Sequence, residues 1–191
     1  MHNIVFFASG SGTNFQSVID AINSGQLEAR ISGLITNRPE AGALERAENY
    51  DIPTFIIDPN AEGSEQRLVD LLKTLDPDLI VLAGYLKRIP EKVIELYSGQ
   101  IINIHPSLLP KYGGKGYYGM NVHRSVIENK DTISGCTVHF VDEIYDNGQV
   151  IEQIEVPVDD SDTPESLAGK ILQKEHELLP KTIKKILTQK S

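Results

Sequence analysis

The chain has 191 residues, with 40% hydrophobic and 24% charged side chains and a formal net charge of −9. That size and balance describe one globular domain, residues 1–191, and the acidic surface argues against a nucleic-acid partner. The single cysteine, Cys136, excludes an intrachain disulfide and any zinc site built on cysteine pairs. No apolar run approaches the roughly 18 residues of a membrane span, and no basic leader precedes the first apolar run, so the expectation is a soluble cytoplasmic protein.

In chain order, apolar runs alternate with segments of helical periodicity. Residues 3–8 form a short apolar strand that ends in a glycine-rich turn, and Phe15, Val18, Ile19 and Ile22 follow at helical spacing until Gly25. Strands are predicted at 31–35, 54–57, 79–83 and 101–104, with helices at 43–50, 68–75 and 93–97 between them. Leu79-Ile80-Val81-Leu82-Ala83 is continuously apolar, as suits a central parallel strand covered on both faces. The alternation predicts an α/β fold: a doubly wound, mostly parallel open sheet with helices on both faces. Ligands of such sheets bind at the carboxyl ends of the strands, which singles out the loops at 9–14, 84–90 and 105–119.

Beyond residue 119 the pattern changes. A helix is predicted at 122–128, then two strands at 137–141 and 149–156 joined by a turn at Asp146-Asn147-Gly148, Asn-Gly being a strong turn signal. Thr163-Pro164 opens a last helix with a cap and a proline at the first helical position. Its buried face runs from Leu167 to Leu187, and Pro180 is expected to kink or divide it. The chain thus reads as an N-terminal half, 1–100, and a C-terminal half, 101–191; that the first binds phosphate and the second is catalytic is what a family resemblance, carried by the motifs that follow, implies.

Ser9-Gly10-Ser11-Gly12-Thr13-Asn14 links the first strand to the first helix, where backbone N–H groups and the helix dipole favour an anion. A dinucleotide fingerprint would place its third glycine where Phe15 stands and an acid where Asn37-Arg38 stands. What remains is a monophosphate-sized cradle, with Ser11, Thr13 and Asn14 as side-chain donors, or a tight turn that uses glycine for backbone freedom. Asn103 and His105 share one face of the strand end. They suit an oxyanion and acid–base pair, or a histidine hydrogen-bonded to backbone. The five histidines, at 2, 105, 123, 139 and 176, show no metal-ligand spacing.

Asn103-Ile104-His105-Pro106-Ser107-Leu108-Leu109-Pro110 resembles the signature of the folate-dependent formyltransferases. The glycine loop at 9–14 resembles the phosphate loop of those acting on glycinamide ribonucleotide. Val81-Leu82-Ala83-Gly84-Tyr85, Val138-His139-Phe140-Val141 with Asp146-Asn147-Gly148, and Gln173-Lys174-Glu175-His176 with Pro180 extend the likeness across the chain. The resemblance implies an enzyme that moves a formyl group from 10-formyltetrahydrofolate to the amine of glycinamide ribonucleotide in purine biosynthesis, without a metal. It also implies roles. Asn103 would hold the oxyanion, His105 would be the general acid, and Asp146 would raise the His105 pKa. Ser11, Gly12, Thr13 and Asn14 would meet the acceptor phosphate and Glu175 its amino end. Leu86, Lys87, Arg88 and Ile89, with Asp142, Glu143, Ile144, Asn103 and Asp146, would meet the folate, and His139 would support the cluster. The glycine-rich stretch at 113–121 is longer than in many relatives. Another amine, such as that of a sugar nucleotide, is the alternative acceptor, and a non-catalytic nucleotide-binding module is the alternative class. The partners expected are small molecules, with no membrane, and the protein is either a monomer or a homodimer.

Overall fold

The computed structural model describes residues 1–189. The elements run β1 (His2–Phe7), α1 (Thr13–Asn23), β2 (Ala29–Thr36), α2 (Gly42–Glu48), β3 (Thr54–Ile56), α3 (Ser64–Leu75), β4 (Leu79–Ala83), α4 (Glu91–Leu96), β5 (Ile101–His105), α5 (Met120–Glu128), β6 (Ile133–Phe140), β7 (Val150–Pro157) and α6 (Pro164–Gln189). The seven strands form one sheet in the order β3-β2-β1-β4-β5-β6-β7. The first five strands pair in parallel, and β6 and β7 are added antiparallel. Strand order reverses between β1 and β4, which opens a crevice there.

The strand pattern explains the two cores. Ile4 and Phe6 of β1 and Val81 of β4 face α1, α5 and α6, whereas Val5, Phe7, Ile80 and Leu82 face α3 and α4. Because both faces are covered, β1 and β4 can be apolar at consecutive positions. No described helix is long and apolar enough to cross a membrane.

Two sequence expectations are corrected. First, α6 runs unbroken through Pro180. Pro180 cannot donate to the carbonyl one turn earlier, but Leu178, Leu179, Thr182 and Ile183 are all buried around it, and their packing keeps the helix from dividing there. Second, β6 begins at Ile133, before the predicted start at 137, and the expected turn at Asp146-Asn147-Gly148 is the end of a loop, residues 141–149. The left-handed residue is Asp146, at φ 52°. Gly148 is needed for a different reason: a Cβ there would collide with the Phe140 carbonyl oxygen and lie 2.7 Å from the carbonyl carbon.

Gly148→Ala should therefore destabilise the fold by about 1–3 kcal/mol, read as a lower urea midpoint at unchanged slope. A midpoint equal to that of the unsubstituted protein would show that the close approach is not required.

Candidate active site

The phosphate loop is built by a close approach. Gly12 caps α1 at φ 71° and offers no side-chain cap, which leaves the first N–H groups of the helix for a ligand. A Cβ at Gly12 would lie 2.7 Å from the Cβ of Ala43, so the loop is pressed against α2. The Arg46 Nε donates to the Ser11 carbonyl at 2.8 Å and holds the loop from outside. Asn14 does not point freely into the cradle: its Nδ2 donates to Glu175 Oε2 at 2.7 Å. The Asn14 Oδ1 is buried without a partner.

Ser9 ties three strand ends together. Its hydroxyl donates to Asn37 Oδ1 at 2.5 Å and accepts from the Leu86 N–H at 2.9 Å. Asn37, noted in the sequence only as the place where an acid is missing, is thus a structural anchor of the crevice.

The chemistry-bearing residues meet on the β5 face. The register pairs Asn103 with His139 and His105 with Thr137. Asn103 Nδ2 donates to His139 Nε2 at 3.1 Å, since His139 Nδ1 donates to the Phe140 carbonyl at 2.8 Å. The 141–149 loop then folds back and brings Asp146 Oδ1 to 3.6 Å from both His105 Nδ1 and His139 Nε2. The other oxygen, Oδ2, accepts from the Gly114 N–H at 2.9 Å, which attaches the glycine-rich stretch to the cluster. His105 Nε2 donates to the Tyr112 carbonyl at 2.8 Å. One nitrogen of His105 is thus fixed by backbone and the other faces a carboxylate.

The electrostatics correct one expectation. Burial pulls His105 below the ordinary imidazole range, although Asp146 and the Tyr112 carbonyl both act to raise it. Asp146 supports the imidazolium, as expected, but desolvation of a side chain only 6% exposed outweighs it. Burial acts to raise the Asp146 carboxyl, but His139, His105 and the Gly114 N–H together hold it below the usual range. Glu175 is only 7% exposed. Burial pushes it up to about 7, against the hydrogen bond from Asn14.

The remaining predicted residues divide. Leu86 and Ile144 are exposed on neighbouring loops, joined where Arg88 donates to the Glu143 carbonyl at 2.9 Å. Arg88 also pairs with Glu91 at 3.2 Å, whereas Lys87 forms no ion pair among the described residues. Ile89 is buried against α4, so only its backbone can meet a ligand. Asp142 organises its own loop by accepting from the Ile144 N–H and from Asn147. Sequence reasoning missed His123, on α5, which is 5% exposed with a buried, unpartnered Nδ1. Burial and then the charge of His105 push its pKa down to about 4. Its position one residue after a buried valine was the available signal.

Residues 2–183 match the family described as formyl transferase. A curated phosphoribosylglycinamide formyltransferase of Bacillus subtilis is 36% identical over 98% of this chain and 95% of its own length. A chloroplastic protein of the same name from Vigna unguiculata is 42% identical over 98% of this chain, which spans only 61% of that longer protein. The solved phosphoribosylglycinamide formyltransferase of Bacillus halodurans superposes with a TM-score of 0.90 at 37% identity, over 99% of this chain and 97% of its own. The chain belongs to the formyl transferase family.

The buried Glu175 predicts a pH signature. Its carboxyl has an ordinary value of 4.5, raised to about 7 in the fold. Between those values the folded state holds the extra proton, so its contribution falls as pH rises through the window. His123, held neutral, acts in the opposite sense and loses stability as pH falls from the ordinary 6.5 towards about 4. Glu175→Gln should remove a loss of up to about 3 kcal/mol. The readout is the difference between the urea midpoints of variant and wild type, which should grow in the variant's favour from about pH 4 to about pH 8. A pH-independent difference would contradict the burial-driven shift.

Proposed function

We propose that this protein transfers the formyl group of 10-formyltetrahydrofolate to the amine of glycinamide ribonucleotide, as a step of purine biosynthesis. The observation that carries the reading is the convergence of Asn103, His105 and Asp146 beside an uncapped helix N-terminus. The names of the relatives support the choice of acceptor.

The acceptor phosphate sits on the backbone N–H groups at residues 12–14. Its amino end reaches Glu175 and the unpartnered Asn14 Oδ1, two acceptors that together face a donor. A carboxyl titrating at about 7 can take a proton from an incoming ammonium. The formyl-folate lies between the exposed Leu86 and Ile144, where two loops are joined through Arg88 and Glu143. The amine nitrogen forms a bond to the formyl carbon, and the carbonyl electrons move to oxygen. The second N–H of Asn103 Nδ2, free of His139, meets that oxyanion. Collapse of the intermediate breaks the bond from carbon to the folate nitrogen. His105, protonated at Nδ1 and sharing that proton with Asp146, supplies the proton to the departing nitrogen. The proton lost by the amine returns to the Asp146–His105 pair through water. Low intrinsic basicity suits this role, because an imidazolium destabilised by burial gives up its proton readily.

The test is direct. Purified protein mixed with both substrates should release tetrahydrofolate only when glycinamide ribonucleotide is present. His105→Ala should lower kcat by about 10²–10⁴-fold, and Asn103→Ala by about 10²–10³-fold, with folding intact by circular dichroism. Folate release without acceptor would make the protein a hydrolase instead. Turnover with a sugar-nucleotide amine alone would replace the acceptor.

A further inference from the structure

Tyr112 stands in the left-handed backbone region at φ 55°. An aromatic residue adopts that conformation only when its surroundings impose it. Here both ends of the residue are held. Its carbonyl accepts from His105 Nε2 at 2.8 Å, and its hydroxyl donates to Asp131 Oδ2 at 2.7 Å. Asp131 is in turn held by Lys111, whose Nζ lies 2.7 Å from each carboxylate oxygen. The Asp131 side chain is 15% exposed, and its backbone N–H donates to the Val126 carbonyl at the end of α5. The Lys111 carbonyl accepts from the Ser107 hydroxyl at 2.6 Å, so the segment between His105 and Tyr112 is pinned within itself as well.

We propose that Asp131, acting with Lys111 through the Tyr112 hydroxyl, is a positioning residue that holds the Tyr112 carbonyl against His105 and so sets the tautomer of the proton-transferring imidazole. The inference rests on the formyl-transfer reading for its kinetic consequence, but not for its structural one. With the carbonyl in place, the Nε2 proton is fixed, and the proton that comes and goes is the one on Nδ1, facing Asp146. Without it, the neutral ring gains by moving its proton to Nδ1 and donating to Asp146. Nδ1 then no longer accepts, and the Nε2 lone pair faces the vacated carbonyl position. Asp131 touches neither His105 nor the cleft. It acts from the far side of α5, through one ring and one peptide unit.

The test uses the full chain with ¹⁵N-labelled histidine. Long-range ¹H–¹⁵N correlation spectra report which ring nitrogen of His105 carries the proton, and His105→Asn assigns the resonance. The wild type should show the Nε2–H form. Asp131→Ala and Tyr112→Phe should each admit the Nδ1–H form and lower kcat about tenfold. The KM of either substrate should stay within about twofold. Asp131→Asn, which still accepts from the Tyr112 hydroxyl, should recover most of kcat. The alkaline limb of the kcat profile, where the general acid loses its proton, should move to lower pH in both impaired variants, because a partner that raises the His105 pKa is lost. Asp146, His139 and His123, the other titrating groups coupled to His105, are unchanged in them. Tyr112→Phe keeps its ring in the core and serves even if Asp131→Ala does not fold. Wild-type tautomer and kcat in Tyr112→Phe would overturn the proposal, as would a loss of stability or of kcat with the tautomer unmoved. A wild type that transfers no formyl group would defeat the functional reading instead, and the spectra would still decide the brace.

Discussion

The antiparallel pairing of β6 with β5 is the constraint on which the rest of the site depends. A purely parallel sheet collects loops at one edge, but places no side chain of a following strand beside the middle of the last one at so short a connection. By running back along β5, β6 sets His139 opposite Asn103, and the chain leaving β6 must then fold over the same face to reach β7. That return carries Asp146 to both histidines. The left-handed conformation of Asp146 and the close approach of Gly148 to Phe140 are local costs of making the return so tight. The cluster therefore joins residues from β5, β6 and one loop, with the glycine-rich stretch closing on it through the Gly114 N–H.

Burial then decides the charges. His105 and Asp146 attract each other, yet desolvation holds the imidazole below its ordinary range while the carboxyl stays ionised through several donors. Both groups are held below their ordinary ranges, so the cluster sets a neutral imidazole beside an ionised carboxylate. A well-solvated pair would leave the histidine charged and reluctant to release its proton. Burial also governs Glu175: on α6, with Asn14 as its donor, its carboxyl is pushed up to about 7.

Much of this was legible in the sequence. The apolar runs of β1 and β4 named the central strands, because only strands covered on both faces carry consecutive apolar residues. The loop at 9–14 was placed by its glycines, and Asn103 and His105 by their shared face. Burial was not legible. Nothing in Gln173-Lys174-Glu175-His176 distinguishes a solvated carboxylate from one 7% exposed, since helical register leaves the facing element unnamed. The sign of the His105 shift failed for the same reason: a neighbouring acid is visible by resemblance, but the depth that outweighs it is not. Pro180 was misjudged because proline's local cost is fixed, whereas the packing on both sides that overrides it is tertiary.

The strand reversal between β1 and β4 brings the exits of three strands to one point. Ser9 sits at that point and hydrogen-bonds to β2's exit through Asn37 and to β4's exit through Leu86. The same hydroxyl thus links the glycine loop that opens α1 to the loop that carries Leu86. Asn37 matters here by what it is not. A carboxylate at the end of β2 would suit the ribose hydroxyls of a dinucleotide, but it would also set a negative charge beside a loop whose free N–H groups await an anion. A neutral amide holds the Ser9 hydroxyl without adding a negative charge there. That choice leaves the helix N-terminus open to an anion and removes the carboxylate a dinucleotide's ribose would need.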